Sequence, residues 1–216
     1  MSHITKQSSG YRTGVQFPAE QLTAAVEATV GPHGFEDVSE QQIDEYHQLA
    51  DELIEGEIAG PDALWRVQSW TGCALQLRRS NGVANALLAS IPLTASGRDA
   101  LLDGRFGFSN AEREWVCGPT DRAEALLSWG MAGRTPLDQI AALRGLLAGW
   151  YAFYPDIRVY ARARSAQGQK LMTRLGFEPI RQPEGAPLLF GSTGFPHRMA
   201  QKLAVRDGIR VEEGFA

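Results

Sequence analysis

The polar groups that stand out in this sequence are set into apolar strand patterns. In "EALLSWGMAG", alternation places Glu124, Leu126, Ser128 and Gly130 on one face, with Ala125, Leu127, Trp129 and Met131 on the other. Glu124 is a proton-carrying group near the start of that strand or an ordinary ion-pair partner, and Ser128 is the polar group furthest into it. In "RVYARAR", Arg158, Tyr160, Arg162 and Arg164 share a face opposite Val159, Ala161 and Ala163. Charges in a strand must be paired if buried. These arginines therefore either meet carboxylates such as Glu112, Glu114 and Asp121, or present an anion site to which Arg98 and Arg105 add. Between the two strands, "GMAGRTPLDQIAAL" opens a helix with Thr135 as N-cap and Pro136 in the first position. Free N–H groups there attract anions, and Arg134 reinforces this, while Asp138 competes for the same positive end.

Periodicity supplies the elements that hold these groups. "FPAEQLTAAVEATVG" reads as a helix beginning near Pro18 and stopped by Gly31. "VSEQQIDEYHQLADELIEGEIAG" reads as a second, with a capping box at Ser39 and Gln42 and an apolar stripe of Ile43, Tyr46, Ala50, Leu53 and Ile54. Its outer face is acidic, either a solvated surface or a rim that attracts an amine. Asn81-Gly82 predicts a hairpin turn, followed by a long apolar arm from Val83 to Thr94. Residues 94–121 interrupt the pattern, with a short helix capped near Ser96 and Asp99. From Glu124 to Gln182 the order is strand, helix, strand, helix, strand, and the helix after Thr135 has a stripe of Leu137, Ile140, Leu143, Leu147, Trp150 and Tyr151. The first crossover makes two of these strands parallel, whereas the hairpin is antiparallel. "PLLF" predicts a last strand and 197–205 a short terminal helix. The fold class is α/β (α+β): a mixed, mostly antiparallel twisted sheet with one parallel pair and helices on both faces.

Composition narrows the chemistry. The 216 residues suit one domain, with residues 1–12 as a tail and 13–216 as the folded unit, carrying N-terminal helices, the 94–121 insertion and a C-terminal extension. A net charge of -4 argues against a nucleic-acid partner. Neither a signal peptide nor a membrane span is predicted, so a cytoplasmic protein without membrane attachment is expected. Two distant cysteines and four scattered histidines have no metal-ligand spacing, and no metal site is expected. No Walker loop, H-E-x-x-H or dinucleotide fingerprint is present.

One stretch carries a resemblance. "KLMTRLGFEPI", Lys170 to Ile180, is similar to the "L-Y-x-x-L-G-F" ending of the GNAT superfamily of acyl-CoA N-acyltransferases, and the element order from about residue 35 to 190 resembles that fold. Gly176 stops the helix in the left-handed conformation, and Leu175 and Phe177 fold back on the sheet. The resemblance implies acetyl-CoA, or another acyl-CoA, as co-substrate, held where the fourth and fifth strands splay apart. It implies that Trp129, Gly130 and Met131 contact the thioester and pantetheine. Gly133, Arg134 and Thr135 then fall at the pyrophosphate loop, with Arg164 as a further phosphate contact. The family's R/Q-x-x-G-x-G/A pattern is altered here, because Gln139 stands for a glycine and only Ala141 fits.

The implied reaction is direct attack of a small amine on the thioester, with a base for the amine's proton and an acid for the thiolate. Glu124 and Ser128 are the candidates for the base. The tyrosine that is the family's usual acid is Met172 here, which leaves Tyr160 and Ser165 as substitutes. Three functions are therefore carried forward: an N-acyltransferase of small amines, a non-catalytic relative binding acyl-CoA or another anion, and a peptide or protein N-acetyltransferase. The oligomeric state stays open, a homodimer included.

Overall fold

A computed structural model describes residues 29–154, 157–163, 165–186 and 188–192. The expected tail, the Pro18 helix start, Arg164, His197 and the C-terminal extension lie outside the described residues. Seven strands form one sheet in the order β1-β2-β3-β4-β5-β7-β6. They are β1 (Phe35–Asp37), β2 (Leu75–Ser80), β3 (Val83–Leu93), β4 (Ala125–Gly133), β5 (Arg158–Arg162), β6 (Phe177–Ile180) and β7 (Leu189–Ser192). Among the described residues only β4 and β5 pair in parallel, since a helical crossover joins them. The β2–β3 hairpin turns at Asn81 and Gly82, both with positive φ.

Helices α1 (Ile43–Leu53), α2 (Pro61–Thr71), α3 (Ala95–Leu102), α4 (Pro136–Phe153) and α5 (Ala166–Arg174) pack on this sheet. Two apolar clusters lie on opposite faces of the sheet. One joins α1, α2 and the insertion to Leu77, Leu87, Leu127 and Tyr160. The other joins α4 and α5 to Leu88, Leu126, Val159 and Phe177. The capping box at Ser39 and Gln42 is present, but it belongs to a single 3-10 turn, Glu40–Gln42, that leads into α1. The helix ends at Leu53 rather than continuing to residue 60, because Ile54 is extended and Gly56 has positive φ. Helix α2 has no counterpart in the sequence-based reading. Pro61 opens it and Gly72, at φ 74°, closes it.

The stripe expected on α4 is rotated. Leu147 and Trp150 are buried, whereas Leu137 is 77% exposed and Ile140 48%. Asp138 turns inward to the Arg78 guanidinium on the same side as Ala142, Leu146 and Trp150, and Leu137 beside it lies on the outer side. The insertion is not loose. Its Phe106, Phe108 and Trp115 are buried against the sheet, and the Gly97 Cα lies against the Trp115 carbonyl, where a Cβ would collide.

Candidate functional site: a wedge between two parallel strands

β4 and β5 pair only from Ala125–Ser128 against Arg158–Ala161. Beyond Ser128 no strand pairs with β4 on that side among the described residues, although β4 continues to Gly133 and stays bonded to β3. The parting coincides with a β-bulge. Ser90 faces Ser128 and Ala89 faces Gly130, so Trp129 is an extra residue. Bulges bend a strand and raise its twist, which steers upper β4 away from β5. The result is a wedge rimmed by the starts of α4 and α5, where backbone N–H and C=O groups of Trp129–Gly133 lie along an unpaired strand edge.

The bulge also corrects the expected alternation. Trp129 sits on the α1 and insertion side, edge-on to Phe108 with ring centroids 4.6 Å apart. Gly130 is on that side too: a Cβ there would meet Ile54 at 3.1 Å. Gly130 therefore does not share a face with Leu126, and Met131 packs with the α4 cluster rather than beside Trp129. Gly133 touches the helix start itself, since its Cβ would lie 2.6 Å from backbone atoms of Asp138 and Gln139.

The proposed proton carriers are not gathered at one point. Ser128 is buried on the α4 side, and its hydroxyl has no hydrogen-bond partner among the described residues. Tyr160 is buried on the opposite side, with the Arg158 guanidinium 5.4 Å from its ring centre. Glu124 is exposed and lies one residue before β4, its N–H bonded to the Leu93 carbonyl. The Arg98 pKa is raised, first by its hydrogen bond to Asp99, with the charges of Tyr160 and Glu124 adding. Glu124 precedes Ala125, which pairs with Arg158, and Tyr160 pairs with Leu127 two residues further along. Ser165 caps α5, its Oγ accepting from the Gly168 N–H at 3.0 Å. Met172 is buried in the core.

The contacts of the strand arginines and of their expected partners run elsewhere. Asp121 pairs with Arg113 at 3.9 Å, Arg162 donates to the Phe106 carbonyl at 2.7 Å, and Arg158 is exposed over Tyr160. Arg162, Phe108 and the bond from Gln182 to the Leu102 carbonyl tie the insertion across β4, β5 and the β6–β7 connection as a roof.

The start of α4 is closed from within. The Asp138 carboxylate accepts from the Thr135 N–H at 3.2 Å and the Thr135 hydroxyl at 2.7 Å. Its other oxygen pairs with Arg78. In return, Thr135 Oγ1 accepts from the Asp138 N–H at 3.2 Å. Pro136 has no N–H, which leaves that of Leu137 alone of the orphan donors at this end. Arg134, the cation expected to favour an anion here, is spent on Glu52 and the Ala84 carbonyl. A diphosphate at this helix end would meet a buried carboxylate.

A separate cavity of about 40 Å³ lies under the C-terminal half of α4, lined by Cys73, Gln76, Ser90, Trp150 and Tyr154 among others. Burial pushes the Cys73 and Cys117 thiols up to about 12, with the nearby carboxylates of Asp37 and Asp121 adding respectively. Neither is a poised nucleophile. Among the described residues no group of histidine, cysteine or carboxylate side chains could hold a metal ion, and no helix is long and apolar enough to cross a membrane.

The strand order, the single parallel pair and the bulge at which it parts decide the architecture. That architecture, a mostly antiparallel mixed sheet with one parallel pair and helices on both faces, is the fold class expected from the sequence. No family model matches the sequence, and no curated protein matches it. Similar solved structures include an acetyltransferase from Corynebacterium glutamicum described with histone acetyltransferase HPA2, at 17% identity over 73% of this chain and 93% of that one (TM-score 0.44). The ribosomal-protein-S18-alanine N-acetyltransferase from Escherichia coli is 10% identical over 73% and 89% (TM-score 0.46). A GNAT-like decarboxylase, GphF, solved with isobutyryl-CoA, is 16% identical over 66% and 72% (TM-score 0.48).

Proposed function

We propose that this protein transfers an acyl group from a pantetheine thioester, such as acetyl-CoA, to the nitrogen of a small amine. The observation that carries the reading is the wedge, where β4 leaves β5 at Ser128 and exposes the backbone edge of Trp129–Gly133. A thioester carbonyl laid along that edge accepts a hydrogen bond from a fixed backbone N–H, and such donors stabilise the developing oxyanion. The amine attacks the carbonyl carbon, the C–N bond forms, the C–S bond breaks and the thiolate leaves. The proton lost by the amine equals the one gained by the thiolate, so the reaction needs relay and not net acid. Ser128, buried on the donor side, is the side chain closest in sequence to the parting.

Amine acceptors suit the other side. Helix α1 presents Asp44 and Asp51 beside Glu45 and Glu52, which are paired with Arg79 and Arg134, and Ile54 at its end packs over Gly130. A cationic amine is drawn to that surface, and the roof of Phe106, Phe108 and Trp115 favours a small one. A second reading, ligand binding without turnover, is favoured by Met172 and by the separation of Ser128 from Tyr160 on opposite sheet faces.

Thermal melts with acetyl-CoA and acetyl-pantetheine, joined to thiol release across a panel of small amines and peptide N-termini, separate these. Transfer predicts stabilisation and thiol release with small amines. Stabilisation without release supports the second reading, and release only with peptides moves the acceptor class. Absence of stabilisation by either thioester contradicts both readings.

A further inference from the structure

Helices α4 and α5 form the outer surface on the donor side of the wedge, and their charge is one-sided. The only carboxylate on either helix is Asp138, which is buried against Arg78. Arg144, Lys170 and Arg174 have no carboxylate partner among the described residues. This contrasts with a chain of net charge -4, whose acids crowd α1 on the opposite face. On α4, alongside Arg144, stand Leu137 and Ile140, 77% and 48% exposed. Leu137, Ile140 and Arg144 follow at helical spacings of three and four residues, so they share one face of α4. Large exposed apolar groups next to unpaired cations describe a docking surface for an acidic protein with an apolar centre. A free nucleotide has no use for Leu137, and its diphosphate seat is already filled by Asp138.

We propose that the acyl donor reaches the wedge on the phosphopantetheine arm of an acidic carrier protein, which docks on the Leu137–Ile140–Arg144 face of α4 and the cations of α5. This rests on the acyl-transfer reading and deepens it by naming the donor class. The docked partner positions the arm, so no diphosphate site is needed at the start of α4.

The test is binding, measured by fluorescence anisotropy with an acidic acyl carrier protein bearing an acetyl-pantetheine thioether arm, alongside free acetyl-pantetheine and acetyl-CoA as competitors. The carrier is expected to bind and to weaken several-fold between about 50 and about 300 mM salt. Leu137→Asp and Arg144→Glu, both surface changes whose folding a thermal melt verifies, are each expected to weaken it by about ten-fold or more. The free arm should bind both variants as it binds the unaltered protein, and acetyl-CoA should bind within about two-fold of the free arm. Carrier binding that is unchanged in both variants, or acetyl-CoA binding about ten-fold tighter than the free arm, overturns the proposal while leaving acyl transfer standing. If neither the arm, nor acetyl-CoA, nor the loaded carrier binds, acyl transfer falls and this proposal with it.

Discussion

The two sides of upper β4 are built in opposite ways. On the roof side, Trp129 is covered by Phe108, and the insertion is tied down by Arg162 and Gln182. On the donor side the strand edge is open, and the nearby α4 residues Leu137 and Ile140 face solvent. One strand thus serves as a packed wall on one side and an accessible template on the other. The bulge at Trp129 separates the two, since it sends Trp129 and Gly130 to the same side and ends pairing with β5. Rigid support behind an open edge is what preorganised backbone donors require.

The largest expected effect lies on the covered side. Phe108→Ala removes a side chain that is 2% exposed, and should lower unfolding free energy in urea by about 3–5 kcal/mol. Leu137→Ala, on the open side, should change it by no more than about 0.5 kcal/mol. Similar costs for the two would break the contrast. Two glycines of β4 sharpen it further. Gly133→Ala drives a Cβ into the α4 backbone and should cost about 1–3 kcal/mol, seen as a loss in thermal midpoint. Gly130→Ala meets only the flexible end of Ile54 and should cost less than about 1 kcal/mol by the same measure.

The donor-side core should also respond to alkali, and from a lower pH than the buried Tyr46 of the opposite cluster. Cys73 and Cys117 pack with that cluster, and burial holds both thiols near 12 in the folded protein. Unfolded thiols ionise near about 8.5. The stability from keeping them neutral is present below about pH 8.5 and is lost as pH rises toward 12. Thermal midpoints should therefore fall from about pH 9 upward, and a Cys73→Ser, Cys117→Ala double variant should fall less steeply. An equal slope would remove the thiols from the account. Smallest of all is Arg134→Glu. Its ion pair with Glu52 is exposed, so stability should move by about 1 kcal/mol or less, read in the same melts.

Several of these features were legible in the chain. The run from β4 to β6 declares itself through Thr135-Pro136, the Gly176 stop and the alternation of β5, because each rests on local chemistry. The long β3 arm follows from its apolar run, and the hairpin from Asn81-Gly82. Helix α2 could have been found: Pro61 and Gly72 bracket it at ordinary helical length. The bulge could not, since nothing in Ser128-Trp129-Gly130 marks an extra residue until β3 is laid beside it. The rotation of α4 was hidden for a similar reason. Asp138 alone suggests a cap, but its partner Arg78 lies 60 residues earlier, and only that pairing shows Asp138 on the inner side with Leu137 outward. The roof was equally non-local, since Phe108 meets Trp129 only after the insertion folds over the sheet.

The most direct test of the wedge is amide hydrogen exchange followed residue by residue while acetyl-pantetheine is added. A thioester arm laid along β4 should slow exchange at Trp129–Gly133 by several-fold or more, with little change at Ala125–Ser128, which is already paired on both sides. Unaltered exchange at Trp129–Gly133, with protection appearing elsewhere or nowhere, would contradict the assignment of this strand edge as the thioester site.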